Sequence, residues 1–262
     1  KVGEGRIGVG TGVSDDGGSL STVTLGGFEV RHTDMSANGI TQMLAWTYGS
    51  LSDAVTGSAD DAALIALFAS RIVMAPLHCC VDKVNDVAIG MLRTTEWVCK
   101  SADAVEEDSD QYPITPDVLA ALDPPNMPPS VLTLKQGMPV ILMRNLRPEQ
   151  GLCNGTRLLV RRVIDNALLE AVVLSGHRRF IGTAVTLTRI KLIEDQHSPY
   201  KWSRLAFPVK PAFGLTINKS QGQTMDRVAV CLEQPCFSHG QLYVAASRLG
   251  DPSELSFWLD SD

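Results

Sequence analysis

The spacing of apolar residues changes character along this chain, and each change predicts a different kind of element. "DDAALIALFASRIVMAP" opens with two acids, continues at helical spacing and ends in an apolar run, so Arg71 to Ala75 is expected as a buried strand stopped by Pro76. "CVDKVNDVAIGML" follows with Val81, Val84, Val87 and Ala88 at helical spacing, completing a strand–helix unit. From Ser130 the helical period is lost. "VLTL", "MPVILM", "TRLLVRRV", "ALLEAVVL" and "TAVTLTRI" are five short β segments separated by Gly, Asn, Pro or charged turns, as in a small barrel. After Arg204 the α/β pattern returns. "LAFPVKPAFGLTI" reads as strand, "NKSQGQT" as a turn opening a short helix, and "RVAVCLE" as strand. "SHGQLYVAASRL" reads as a helix with Leu242, Ala245, Ala246 and Leu249 on one face, and "LSFWL" closes as a strand. No internal repeat is visible.

The fold class is therefore α/β, with a small β-barrel inserted into an α/β domain. Residues 1–27 are rich in Gly and Ser and read as a loop or poorly ordered lead-in. The acidic, turn-rich "SADAVEEDSDQYP" and the stiff, polyproline-like "PPNMPP" form the connector before the barrel. The expected divisions are a lead-in over 1–64, a first α/β part over 65–128, the barrel over 129–204 and a second α/β part over 205–262. The chain starts at Lys1 without Met, and its first residues lack the apolar core of a signal peptide, so it is expected to begin inside a longer protein.

Composition narrows the class. Of 262 residues, 44% are hydrophobic and 20% charged, enough for a real core in a soluble globular protein. No apolar run reaches eighteen residues, so no membrane span is expected. None of the six cysteines forms a C-x-x-C pair, so no metal site is expected, and reduced thiols in an intracellular compartment are the reading. The net charge of −6 hides a marked asymmetry. Residues 1–134 carry 7 basic and 18 acidic side chains, residues 135–204 carry 12 and 5, and residues 205–262 carry 4 and 6. A basic stretch inside an acidic chain suits a polyanionic partner, or a basic face against an acidic neighbouring domain.

"GLTINKSQGQT", Gly214 to Thr224, looks at first like a phosphate-binding loop. Such a loop needs G-x-x-x-x-G-K-[ST], where the second glycine lets backbone N–H groups wrap the phosphates. Asn218 stands where that glycine would be, and no other stretch fits. The stretch instead resembles motif V of superfamily-one helicases, in the form used by the petite-integration-frequency family. Three more stretches, collinear with it, resemble that family. "LKQGMPVILMRNLRPEQGLCNGTRLLV", Leu134 to Val160, resembles the signature of its accessory β-domain. "SHGQLYVAASR", Ser238 to Arg248, resembles motif VI, and "IVMAPLHCCVDKVN", Ile72 to Asn85, resembles motif IV with the helix after it.

The resemblance implies a RecA-like second motor domain, of the P-loop NTPase type, carrying an inserted SH3-like barrel, with residues 1–64 leading in from a first motor domain. It implies an ATP-dependent helicase moving 5′ to 3′ on single-stranded DNA and unwinding duplex or structured DNA. ATP with Mg²⁺ would be bound mainly by the first RecA-like domain, the partner missing here, and the location would be intracellular: nucleus or mitochondrion in a eukaryote. Arg248 would be the arginine finger, offsetting charge on the transferring phosphoryl group; a surface ion pair near a helix end is the other reading. Gly222 and Gln223 would approach the ribose and phosphates, or form a plain turn with a solvated amide. Thr216, Asn218 and Lys219 would face DNA phosphates, or make an ordinary β-turn. Leu77 and His78 stand where family members commonly carry Lys or Thr and then Asn; Leu77 offers no phosphate contact, whereas His78 can bind one or sit solvated. In the barrel, Arg144, Asn154 and Arg157, with Asn145 and Thr156, would contact DNA or shape a turn in which Asn154 and Gly155 supply the φ > 0 positions. Phe180, Tyr200 and Trp202 are candidates for base stacking or for core packing. Two rivals share these motifs: a non-catalytic nucleic-acid-binding module, and the helicase domain of a rolling-circle transposon protein.

Overall fold

Ile72, Val73, Met74 and Ala75 offer no polar side chain to turn toward water, and their strand lies buried inside a parallel sheet. The computed structural model describes residues 14–15, 21–25, 28–57, 61–106, 115–122, 124, 127–194, 201–238 and 240–260. The chain divides into two units, Lys1–Arg93 with Phe213–Asp262, and Thr94–Ala212.

In the first unit the seven-stranded sheet runs, across its width, Ser14–Asp15, Ser21–Leu25, Phe28–Thr33, Leu255–Asp260, Arg227–Leu232, Arg71–Ala75 and Gly214–Thr216. From Phe28–Thr33 onward every neighbouring pair is parallel, and the first two strands add an antiparallel edge. Helices Ala37–Tyr48 and His78–Met91 pack on this sheet and on each other. Ser36 starts the former, its hydroxyl accepting from the Asn38 amide at 3.2 Å. The latter buries Cys80, Val81, Val84, Asn85 and Ala88, while Val87 turns partly outward. Tyr48, Phe68 and Phe213 make an aromatic cluster with ring centroids 5.6 to 6.3 Å apart, and the Tyr48 hydroxyl donates to the Phe213 carbonyl at 2.5 Å. Burial pushes the Cys231 thiol up to about 11, and burial with neighbouring Cys231 and Cys79 pushes Cys80 up to about 12, so both stay protonated at neutral pH.

This unit departs from the sequence reading in two places. Strand Phe28–Thr33 and helix Ala37–Tyr48 lie within the span read as a lead-in, yet they belong to the same sheet as the motif strands. "FEVRHT" is too polar to read as a buried strand; its Arg31 is covered by the rings of Trp46 and Trp258 instead of being solvated. The motif VI helix is short, Gln241–Ala246, and buries Gln241 and Ala245 while Leu242 is exposed. Most of the Gly- and Ser-rich stretch 1–27 lies outside the described residues.

The second unit is antiparallel. Ala184–Thr188, Leu168–Val173, Arg157–Ile164, Pro139–Leu142 and Val209–Pro211 form a five-stranded sheet in that order. Glu96–Lys100 pairs with Val131–Lys135, and Ile190–Glu194, Trp202–Ala206 and Ala102–Val105 make a third sheet. Only four of the five segments expected in the barrel share the main sheet. "VLTL" pairs outside it, and Val209–Pro211 takes the fifth place. Pro208 and Pro211 lack amide hydrogens, so the run read as one strand breaks into Trp202–Ala206, Val209–Pro211 and Gly214–Thr216, in three different sheets. The unit also extends from Thr94 to Ala212, beyond the basic stretch. The proline-rich connector is partly packed: Met127 is buried with Leu119, Leu192 and Trp202.

Arg204 is fully buried, with its guanidinium bidentate on Asp103 and bonded to the carbonyls of Pro128, Leu119 and Leu122. A buried charge is tolerable when its donors are met in this way. Gly151 has φ +78°, and a Cβ there would come within 2.5 Å of the Phe180 ring. Gly151→Ala is therefore expected to lower stability by about 1–3 kcal/mol, from left-handed strain and a displaced ring, measured by urea unfolding. A loss under about 0.5 kcal/mol would show that the Phe180 ring does not pack on Gly151 in solution.

Candidate nucleotide and nucleic-acid site

Arg71–Ala75 and Gly214–Thr216 are parallel neighbours with Ala75 opposite Thr216, so both chains leave the sheet at the same edge. In open α/β sheets ligands bind beyond such carboxyl ends. The first strand passes through Pro76 and Leu77 into the helix that begins at His78, whose side chain is exposed. The second passes into a 3₁₀ turn, Ile217–Ser220, with Ile217 and Ser220 buried and Asn218 and Lys219 exposed. Thr216 is mostly buried, and its hydroxyl accepts from the Lys219 amide at 3.4 Å. It shapes the turn, and Asn218 and Lys219 are the groups presented outward. The short helical piece thus precedes Gln221, where the sequence suggested that it would follow.

Gly222 has φ +82°, a conformation that favours glycine, and it is exposed. The Gln223 amide donates to the Ser220 carbonyl at 3.2 Å, while its side-chain oxygen is buried with no hydrogen-bond partner among the described residues. Two residues on, the Met225 amide donates to the Arg248 carbonyl at 2.9 Å, and Met225 bridges Leu249 in parallel. The ends of motifs V and VI are therefore joined by backbone. The half-buried Arg248 turns its guanidinium onto the end of its own helix, donating to the Val244 carbonyl at 3.1 Å and the Ser247 hydroxyl at 2.9 Å. Both acceptors are neutral, and no carboxylate pairs with Arg248 among the described residues.

Two residues in this unit went unnoticed in the sequence. Asn85 is buried on the helix that starts at His78; its Oδ1 accepts from the amides of Phe213 and Gly214, each at 2.9 Å, and its Nδ2 donates to the Gly214 carbonyl at 3.3 Å. One side chain thus holds the entry to motif V. The signal was present: a polar residue four after Val81 and three before Ala88, in the helix's apolar row. Gly214 allows this approach, since a Cβ there would stand 3.1 Å from Val84 Cγ1. Gln241 is also buried, and neither amide atom of its side chain has a hydrogen-bond partner among the described residues.

In the second unit the signature residues divide. Arg157 is fully buried and donates to the Ala212 carbonyl at 3.2 Å, which removes it from the phosphate-contacting set. Its charge is enclosed by protein, with the Ala212 carbonyl among the groups that meet it. Arg144 is half-buried and donates to the Met143 carbonyl at 3.0 Å, whereas Asn154 is exposed. Asn145 and Thr156 shape the turn: Asn145 Oδ1 accepts from the Asn154 amide at 2.8 Å, and the Thr156 hydroxyl donates to the Gly151 carbonyl at 2.8 Å. Gly155 alone carries positive φ there, at +91°; the tandem pair lies at Asp165 and Asn166, φ 48° and 53°, in the next hairpin. Of the stacking candidates, Trp202 is in the core, Phe180 is packed on Gly151, and Tyr200 lies outside the described residues. Among the described residues no group of three or more His, Cys, Asp or Glu is disposed to hold a metal ion. No helix among them is long and apolar enough to cross a membrane.

Known proteins resemble this chain in sequence and fold. Residues 117–163 match the family described as DNA helicase Pif1, 2B domain. The ATP-dependent DNA helicase PIF1 of Danio rerio is 30% identical over 168 residues, covering 64% of this chain and 24% of that protein. The crystal structure of Pif1 helicase from Candida albicans matches with 25% identity and a TM-score of 0.53, over 84% of this chain and 53% of that one. A Bacteroides Pif1 helicase solved in complex with ADP-AlF3 and single-stranded DNA has the same fold at 19% identity, with a TM-score of 0.50 over 84% of this chain and 47% of that one. The chain therefore spans about a quarter to a half of these three proteins. With its mixed α/β motor-domain sheet and the joined motif V and motif VI ends, the chain corresponds to the C-terminal part of Pif1-type superfamily-one helicases.

Proposed function

We propose that the chain is the second motor domain, with its inserted SH3-like barrel, of an ATP-dependent helicase that moves 5′ to 3′ on single-stranded DNA and opens duplex or structured DNA. The observation that carries this reading is the Met225–Arg248 backbone bond, with the Met225–Leu249 bridge beside it. It ties the turn bearing Asn218 and Lys219 to the residue suited to a nucleotide's phosphates, so movement at one is felt at the other. ATP would lie against Gly222, Gln223 and Arg248, and DNA phosphates against Asn218, Lys219 and His78. Thr216 would serve by holding the turn. Among the described residues no three His, Cys, Asp or Glu side chains gather to hold a metal ion, and the reading assigns Mg²⁺ mainly to a first RecA-like domain.

Lys219 supplies the test on the DNA side. In the full-length protein, Lys219→Ala is expected to weaken single-strand binding and to lower the salt slope by about 0.7, the share of one phosphate contact. Fluorescence anisotropy at several salt concentrations measures it. An unchanged slope would remove Lys219 from the DNA track.

A further inference from the structure

Four basic side chains of the second unit are neutralised by a carboxylate. Arg162 pairs with Glu170, Lys191 with Glu106, Lys135 with Glu96 and Arg204 with Asp103. Arg147, Arg178 and Arg179 differ. All three are exposed, and none has a carboxylate partner among the described residues. Arg147 donates to the Thr186 carbonyl at 2.9 Å, and Arg179 donates to the Glu149 carbonyl at 3.4 Å with its guanidinium 4.4 Å from the Phe180 ring. Neutral acceptors and a ring fix where Arg147 and Arg179 stand without cancelling their charge, and Arg178 stands beside Arg179 on the same turn. Glu149 is the one acid in the two turns that carry them.

The two turns are rigid and interlocked. Pro148–Gln150 is a 3₁₀ turn closed by Gln150 N to Arg147 O at 3.0 Å, and Arg147 and Leu152 bridge across it. Arg178–Phe180 is a second, capped where His177 Nδ1 accepts from the Arg179 amide at 3.3 Å and pinned to its strand end by Gly182 N to Val173 O at 2.9 Å. Phe180 of the second turn lies on Gly151 of the first, so "LRPEQG" and "HRRF" are brought together over some thirty residues of sequence. We infer that the corner made by these interlocked turns, with Arg147, Arg178 and Arg179 on it, is a binding site for the phosphodiester backbone of DNA. Cations held in place before binding lose little freedom on contact, and guanidinium groups suit phosphate oxygens. The site rests on the helicase reading, since it supplies that reading's DNA with a second grip.

The test is a pair of salt titrations on the full-length protein, one with single-stranded oligothymidylate and one with a blunt duplex. Replacing Arg178→Ala and Arg179→Ala together is expected to lower the salt slope by about 1.4 on the single strand, or about 1.8 on the duplex. Arg178→Lys with Arg179→Lys should keep most of it. Both positions are exposed, so the fold should tolerate either pair. A fall on one DNA form assigns the corner to that form. Slopes unchanged on both, in a protein that still binds DNA, overturn the inference and leave the helicase reading standing. An unsubstituted protein that binds neither DNA overturns both.

Discussion

Arg248→Ala in the full-length protein is expected to lower ATP turnover by about 10³–10⁵-fold, the range seen when other nucleotide hydrolases lose such a cation. Nucleotide binding and single-strand binding should stay within a fewfold of the unsubstituted protein. The structure explains why the effect should fall on the chemical step. Arg248 carries no structural ion pair among the described residues; it rests on a carbonyl and a hydroxyl of its own helix end, bonds that a phosphoryl group can replace. Its loss should move the unfolding midpoint little, because half-exposed side chains outside the core typically change stability by about 0.5 kcal/mol. Arg248→Lys should remain slow, since an ammonium lacks the planar fork of donors. Turnover surviving in the alanine variant would refute the finger assignment. Lost DNA binding together with lost turnover would point to a misfolded domain, which the unfolding curve would reveal.

The second large effect is expected at Asn85. Asn85→Leu matches the side chain in size but leaves the amides of Phe213 and Gly214 buried without acceptors. Each unmet buried group costs about 1–3 kcal/mol, so stability should fall by about 3–5 kcal/mol in urea unfolding. The loss should be felt beyond stability, because the strand that Asn85 holds runs straight into Thr216 and the Lys219 turn. A loss below about 1 kcal/mol would mean that water or a shifted strand serves those amides equally well. Asn85→Ala should lose about as much, adding a small cavity to the unmet bonds.

Much of the α/β part was legible because its cues are local. Arg71–Ala75 is a short apolar run stopped by proline, and His78–Met91 repeats Val81, Val84 and Ala88 on one face. Strand Phe28–Thr33 was not legible. Its Arg31 is covered by Trp46 and Trp258, and no local pattern announces the cover that Trp258 supplies from more than two hundred residues away. The motif VI helix was overextended for a related reason. Its apolar residues fit a longer face, but the chain turns after Ala246 to let Arg248 and Leu249 meet Met225.

The candidate site divides in the same way. By itself the sequence determined which residue types stand where: the missing second glycine that excludes a phosphate-binding loop, Gly222 in its turn, the basic stretch, and the order of the motifs. Those properties are written in adjacent residues. Only the tertiary structure decided which charges reach solvent. Arg157 and Arg178 are equally basic in sequence, yet the first is fully buried and bonded to the Ala212 carbonyl while the second stands exposed on a turn whose Phe180 lies on Gly151. Burial of a side chain is set by what the fold packs against it, and for Arg157 and Asn85 the partners lie 55 and 128 positions away.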